Sequence, residues 1–300
     1  MTSTARHVAL GVTLVVAAAM LWGTTGTVQA SSSGLVAPVW IGALRMAVAA
    51  IFFWIMLAGQ AGARTRAHGL TQGASPVAAL LAAGLAMAVY NLAFFAGVRA
   101  TGVGIGTAIC IGSGPLWASL LQTLIMRRAP GRRWWLGTLV SVAGALWLLL
   151  YGANSAPSSM VGIALCLLAG ASYAAFALVN KVLVSHGEPL AVTARVFTIA
   201  ALIAIPAAAL HAGAPVIIAR DLALIAFLGL LATGVAYWLF AAGLRHLSGA
   251  TAVTLALAEP LTAFVLAVAL LDEPLGAPAV LGMAVLLLGL MIVVRDESRE

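Results

Sequence analysis

The chain divides into ten apolar runs, each about the length a helix needs to cross roughly 30 Å of hydrocarbon, and the loops between them are short. The runs fall near 8–30, 35–58, 76–98, 102–126 and 133–152, and again near 158–182, 189–210, 221–244, 247–271 and 276–294. Segments rich in Gly, Pro and Ser separate them, such as Ser31-Ser32-Ser33-Gly34 and Asn154-Ser155-Ala156-Pro157. Continuously apolar, Leu/Ala-rich runs predict helices and not barrel strands, which alternate over about ten residues. A soluble fold fails on composition, because 63% of the 300 residues are apolar and 8% charged, against about a quarter charged in soluble domains. The bilayer is therefore the solvent, and no room remains for a soluble domain. Arg6 and His7 before the first run superficially resemble a signal peptide. That run continues into Trp22-Gly23 without a clear cleavage site, so it reads as the first membrane helix.

The formal charge of +7 does not imply a nucleic-acid partner, since the basic residues are scattered and form no continuous face with stacking aromatics. With the N-terminus in the cytoplasm, Arg6, Arg64, Arg66, Arg127, Arg128, Arg132, Arg133, Lys181, Arg245, Arg295 and Arg299 fall on the cytoplasmic side. Arg99 and Arg220 fall on the other. That asymmetry follows the positive-inside rule, and an even helix count returns the C-terminus to the cytoplasm. Cys110 and Cys166 lie inside apolar runs and make no metal or disulfide pattern.

An internal repeat organises the chain. Ala96-Gly97-Val98-Arg99 resembles Ala242-Gly243-Leu244-Arg245 at a spacing of 146, Gly114-Pro115-Leu116 matches Glu259-Pro260-Leu261 at 145, and Gly137 and Gly144 match Gly282 and Gly289 at 145. Arg45 matches Arg195. The two units, residues 1–152 and 153–300, each hold five helices, so the second copy is expected to cross the membrane in the opposite sense. Inverted repeats of this kind build many secondary transporters, with the substrate near the midplane.

On these features the chain resembles the drug/metabolite transporter superfamily, in particular its EamA-type ten-helix members, across essentially its whole length. The resemblance rests on Leu21-Trp22-Gly23, the Arg45/Arg195 pair, Ala258-Glu259-Pro260-Leu261, the Asp272-Glu273-Pro274-Leu275 turn and the glycines of the last helix. It implies an all-α membrane protein of ten transmembrane helices, two inverted five-helix repeats around a central cavity, with helices five and ten outside it. One departure is Arg127-Arg128, which stands where many relatives carry an acidic residue. Within the superfamily the chain looks most like exporters of aromatic and other neutral amino acids.

Candidate substrate-binding residues are Trp22, Tyr90, Asn91, Phe94, Trp117, Tyr173, Tyr237 and Glu259. Aromatic walls with a few polar groups suit an amphipathic solute with a flat side chain. Glu259 is costly half-way into a span and needs a partner or water, so it is a candidate to hold a substrate amine or to exchange a proton. Pro115 and Pro260 occupy matching positions, where each removes a helix hydrogen bond and frees the carbonyl four residues back, that of Ile111 or Ala256. They are candidate helix breaks and gating points. Arg45 and Arg195 lie within snorkelling reach of opposite surfaces and read first as anchors, although an Arg reaching the cavity would suit a substrate carboxylate. Trp40, Trp134, Trp135 and Trp147 read as interfacial or lipid-facing.

No H-E-x-x-H occurs, the five His fall near helix ends, and Glu259 has no companion carboxylate at its own depth, so an intramembrane enzyme is the weaker alternative. A channel filter loop and a P-loop are also absent. The expectation is an exporter working by alternating access, either of amino acids or, within the same fold, of drugs or nucleosides. It is expected in the bacterial inner membrane, with both termini cytoplasmic. Its partners are a small-molecule substrate and the lipid bilayer, with no cofactor, no metal, no nucleic acid and no obligatory protein partner.

Overall fold

The structure, a computed structural model, describes residues 3–29, 32–60, 74–127, 129–151, 159–271 and 276–298. The Asp272-Glu273-Pro274-Leu275 turn and Arg128 lie outside the described residues. The helices are α1 (Ser3–Gln29), α2 (Pro38–Gly59), α3 (Ala74–Thr101), α4 (Val103–Met126), α5 (Arg132–Tyr151), α6 (Met160–His186) and α7 (Pro189–Ala212). They continue as α8 (Ala219–Gly229), α9 (Ala236–Gly243), α10 (Gly249–Leu255), α11 (Ala258–Leu271) and α12 (Ala277–Glu297). A π-turn, Leu230–Val235, joins α8 to α9, and α10 and α11 together make one span, so among the described residues these twelve helices make ten segments long and apolar enough to cross a membrane. Helix is the form lipid demands, because backbone amides and carbonyls there find partners only within the segment. Large apolar side chains such as Leu124, Leu202 and Leu210 are exposed, as expected where the surrounding solvent is hydrocarbon.

The helix ends are written in the sequence. Pro38 and Pro189 open α2 and α7, where the missing N–H costs nothing. Glu188 Oε2 accepts from Ala191 N (2.8 Å), and Ser248 Oγ accepts from Thr251 N (3.2 Å). The two prolines expected to break helices behave differently. α4 runs through Pro115 without interruption, whereas the ninth segment is interrupted between α10 and α11, beside Pro260. The carbonyl expected to be freed there, that of Ala256, has a donor after all. Glu259 N reaches it at 2.9 Å by tightening the turn to an i to i+3 bond.

Contacts between helices follow the repeat. The third segment packs on the sixth as the eighth packs on the first, and the fourth packs on the sixth as the ninth packs on the first. The second and seventh pair with each other, and so do the fifth and tenth. Matched glycines explain that last pairing. A Cβ on Gly137 would stand 2.9 Å from Gly289 O, and one on Gly144 would stand 2.9 Å from Gly282 O. Small residues at both repeat positions let α5 and α12 touch backbone to backbone.

Two tryptophans expected at the lipid interface are instead buried. Trp40 donates from Nε1 to Gly213 O (2.8 Å) and Trp134 to Thr251 Oγ1 (3.2 Å). A position near a helix end marks the depth of a residue but not the direction of its ring, and here a neighbouring helix end supplies the acceptor. Trp147 is exposed, as expected. At the end of the bundle that holds Trp40, buried Asp221 of α8 accepts from Ser33 N (3.0 Å) and Ser33 Oγ (2.6 Å). This ties the loop between α1 and α2 to the start of α8. Asp221→Ala is expected to lower the thermal midpoint of the purified protein in detergent, and Asp221→Asn, which keeps one acceptor, to lower it less. An unchanged midpoint for both would show that the loop is held by other contacts.

Candidate functional site

Aromatic residues from five helices interlock inside the bundle. The Trp22 ring of α1 lies 4.9 Å from Tyr237 of α9 and 6.1 Å, edge-on, from Tyr173 of α6. Tyr173 is 5.5 Å from Tyr90 of α3, which is 6.0 Å from Phe94. Five of the eight expected binding side chains are thus brought into one nest. Phe240 joins it 5.4 Å from Trp22, Phe176 5.7 Å from Tyr237, and Phe197 of α7 4.9 Å from Tyr237.

These three phenylalanines were not anticipated from the sequence. Phe176 and Phe240 lie three residues after Tyr173 and Tyr237, the spacing that puts helical side chains on one face. That signal was available. Phe197 carried none.

The π-turn places the nest as well as the pattern does. Widening one turn at Leu230–Val235 rotates the helix beyond it, and Tyr237 is the second residue after that turn. Thr233, inside the turn, is buried, and its hydroxyl has no partner among the described residues.

The remaining candidates divide. Asn91 is buried on α3 beside Tyr90. Glu259 sits half-buried at the start of α11, within electrostatic range of Arg45, Tyr90, Tyr173 and Tyr237. Trp117 is half-buried on α4 against the core, without a ring contact to the nest among the described residues. Pro260 lies one residue beyond Glu259 at the helix interruption, while Pro115 lies within continuous α4.

Several polar atoms around the nest are buried without a hydrogen-bond partner among the described residues: Trp22 Nε1, Tyr173 OH, both amide atoms of Asn91 and Arg45 Nε. Leaving such a group unpaired costs roughly 1–3 kcal/mol. Arg45 also departs from its expected role, since it is 8% exposed and does not reach out to the surface as an anchor. Flat apolar surfaces beside unpaired polar atoms are the kind of lining that suits an amphipathic molecule.

A separate cavity of about 570 Å³ lies where α4, α5, α6 and α12 approach the loop between α9 and α10, lined by Gln122, Trp134, Lys181, Arg245, His246, Ser248, Asp296 and Glu297. Lys181 Nζ donates to Leu244 O (2.7 Å), capping the carbonyl end of α9. Glu297 accepts from Ser248 Oγ (3.0 Å) and from Thr251 Oγ1, and Gln122 Oε1 accepts from Ala250 N (3.2 Å). These bonds tie the fourth segment to the ninth and the ninth to the tenth. The His246 imidazole is held below its ordinary pKa by burial first, then by His7, Arg245 and Lys181. Among the described residues no cluster of His, Cys, Asp and Glu has metal-binding geometry.

Comparison with known proteins agrees with this architecture. The profile of the EamA-like transporter family matches residues 9–150 and 160–295. YwfM of Bacillus subtilis (strain 168), described as an uncharacterized transporter, is 35% identical over 283 residues, which span 93% of this chain and 92% of YwfM. A crystal structure described only as that of a protein matches with a TM-score of 0.80 at 16% identity, covering 96% of this chain and 98% of that one. At that identity the likeness shows the fold alone.

Proposed function

Because this chain belongs to the EamA-like transporter family, and is therefore a multi-pass membrane transporter, we propose that it is a secondary exporter of aromatic and other neutral amino acids or similar amphipathic metabolites. The nest of Trp22, Tyr90, Phe94, Tyr173 and Tyr237 beside unpaired polar atoms carries this reading. A flat side chain stacks on the rings, and the polar end of the solute meets Asn91, Trp22 Nε1, Tyr173 OH and Glu259. The two repeats, inverted with respect to each other, rock about this site so that it opens to each side in turn. Contacts that correspond between the halves support that motion. The interruption beside Pro260 and the π-turn before Tyr237 are where helix geometry changes most easily. The bias of basic residues supports a location in the bacterial inner membrane with both termini in the cytoplasm.

Ligand-dependent thermal unfolding of the purified protein tests the substrate class. A ligand that binds only the folded state at 100 times its Kd adds about 2.7 kcal/mol. Tryptophan and phenylalanine are expected to raise the midpoint in a saturable manner, and threonine to raise it less. If none of the three moves it, the amino-acid assignment is wrong.

A further inference from the structure

Among the described residues Arg45 is the one buried cation at the nest, and no carboxylate is bonded to it. Its guanidinium carbon lies 5.7 Å from the Phe95 ring centroid, and its Nε is unpaired among those residues. Glu259 is within electrostatic range but forms no ion pair with it. Arg195, its counterpart in the repeat, is only half-buried and is engaged with neighbouring groups. The two matched arginines therefore differ in burial, and the one whose Nε has no partner among the described residues is the one beside the nest.

Asn91 is the second half of the feature. It is 1% exposed, with neither its amide oxygen nor its nitrogen bonded among the described residues. It stands against Gly42, one turn before Arg45 on α2, and Phe95 stands there too: a Cβ on Gly42 would come 2.6 Å from the Phe95 ring and closer still to Asn91 Oδ1. The glycine thus lets Asn91 and Arg45 share the groove between α2 and α3. On α3 the residues alternate between two tasks. Tyr90 and Phe94 face the aromatic nest, while Asn91 and Phe95 face the α2 groove that holds Arg45.

A buried guanidinium whose Nε has no partner among the described residues is unfavourable unless an anion meets it, and the fork of Arg matches a carboxylate with two parallel hydrogen bonds. We propose that Arg45 and Asn91 form a carboxylate subsite adjoining the aromatic nest, so that the substrate is an aromatic or amphipathic molecule bearing a carboxylate. Asn91 donates its amide to the second carboxylate oxygen, and the solute's body lies on Tyr90 and Trp22. This deepens the reading given above and rests on the same site, yet it stands apart in one respect. It requires the carboxylate and is indifferent to the amine.

Binding to the wild-type protein of three indoles, followed by thermal shift and by titration calorimetry, tests it. The ligands are tryptophan, tryptamine, which lacks the carboxylate, and indole-3-propionate, which lacks the amine. At least one carboxylate-bearing ligand is expected to bind ten times more tightly than tryptamine. In Arg45→Gln that preference is expected to fall at least tenfold, and Arg45→Lys, which keeps the charge but not the fork, to lie between. Binding of indole-3-propionate without tryptophan would sink the amino-acid reading and uphold the subsite. Tryptamine binding as well as the two acids, no binding by either acid, or an unchanged preference in a folded Arg45→Gln overturns the subsite. The wild-type comparison decides even where a variant does not fold.

Discussion

Trp22→Ala is expected to weaken tryptophan binding roughly a hundredfold, read as a fall in the rate of tryptophan exchange across proteoliposome membranes at substrate concentrations below KM. The Trp22 ring contacts Tyr173, Tyr237 and Phe240 at 6.1, 4.9 and 5.4 Å and is 7% exposed. Each aromatic pair contributes about 0.5–1.5 kcal/mol beyond its buried area. Truncation therefore removes both the wall proposed for a flat solute and the contacts that hold Tyr173 and Tyr237 in place. A combined loss of about 3 kcal/mol corresponds to roughly a hundredfold in affinity. Trp22→Phe separates the ring from its N–H. It keeps the wall and loses the unpaired donor, so it is expected to lose about tenfold. If both variants fold and exchange tryptophan at the wild-type rate, the ring is packing and not binding surface.

The second large effect concerns stability. Gly144→Val is expected to destabilise the protein by about 3 kcal/mol, since overpacked positions cost typically 1–3 kcal/mol and this one has no side chain that can give way. A Cβ there would collide with the backbone of Leu286 and stand 2.9 Å from Gly282 O. α5 and α12 would have to separate along their length. The expected result is a lower thermal midpoint and loss of monodisperse protein in detergent, with Gly289→Val behaving alike because it faces Ser141 across the same crossing. Gly59→Val provides the comparison, as its Cβ would meet nothing within 4 Å. Equal behaviour of all three would show that close approach is not what these glycines provide.

Much of this architecture is legible in the residues, for a physical reason. Hydrophobic length and loop chemistry act locally, so the ten segments appear in the sequence close to where they lie in the structure, as at 189–210 against Pro189–Ala212. The paired glycines were legible because a repeat preserves spacing, and their meaning emerges when α5 meets α12. The direction a ring takes was not legible. Trp40 and Trp134 sit near helix ends, and nothing local says that Gly213 O and Thr251 Oγ1 await them. The π-turn at Leu230–Val235 was invisible too, because one residue of slack in the register leaves no mark on composition. Arg45 shows the same limit from the other side. Its distance from the helix end allowed snorkelling, and only packing against Phe95 and the groove it shares with Asn91 show that it turns inward.

Counterflow of labelled tryptophan, phenylalanine and threonine in proteoliposomes containing the wild-type protein, with and without an imposed pH gradient, tests the central claim most directly. Saturable flux of the aromatic amino acids, competed by unlabelled ligand and carried at a lower rate for threonine, is the predicted result. The gradient arm distinguishes facilitated passage from coupling to protons. Absence of flux for all three, from protein that is folded and inserted, would contradict the assignment of the aromatic nest to amino-acid transport.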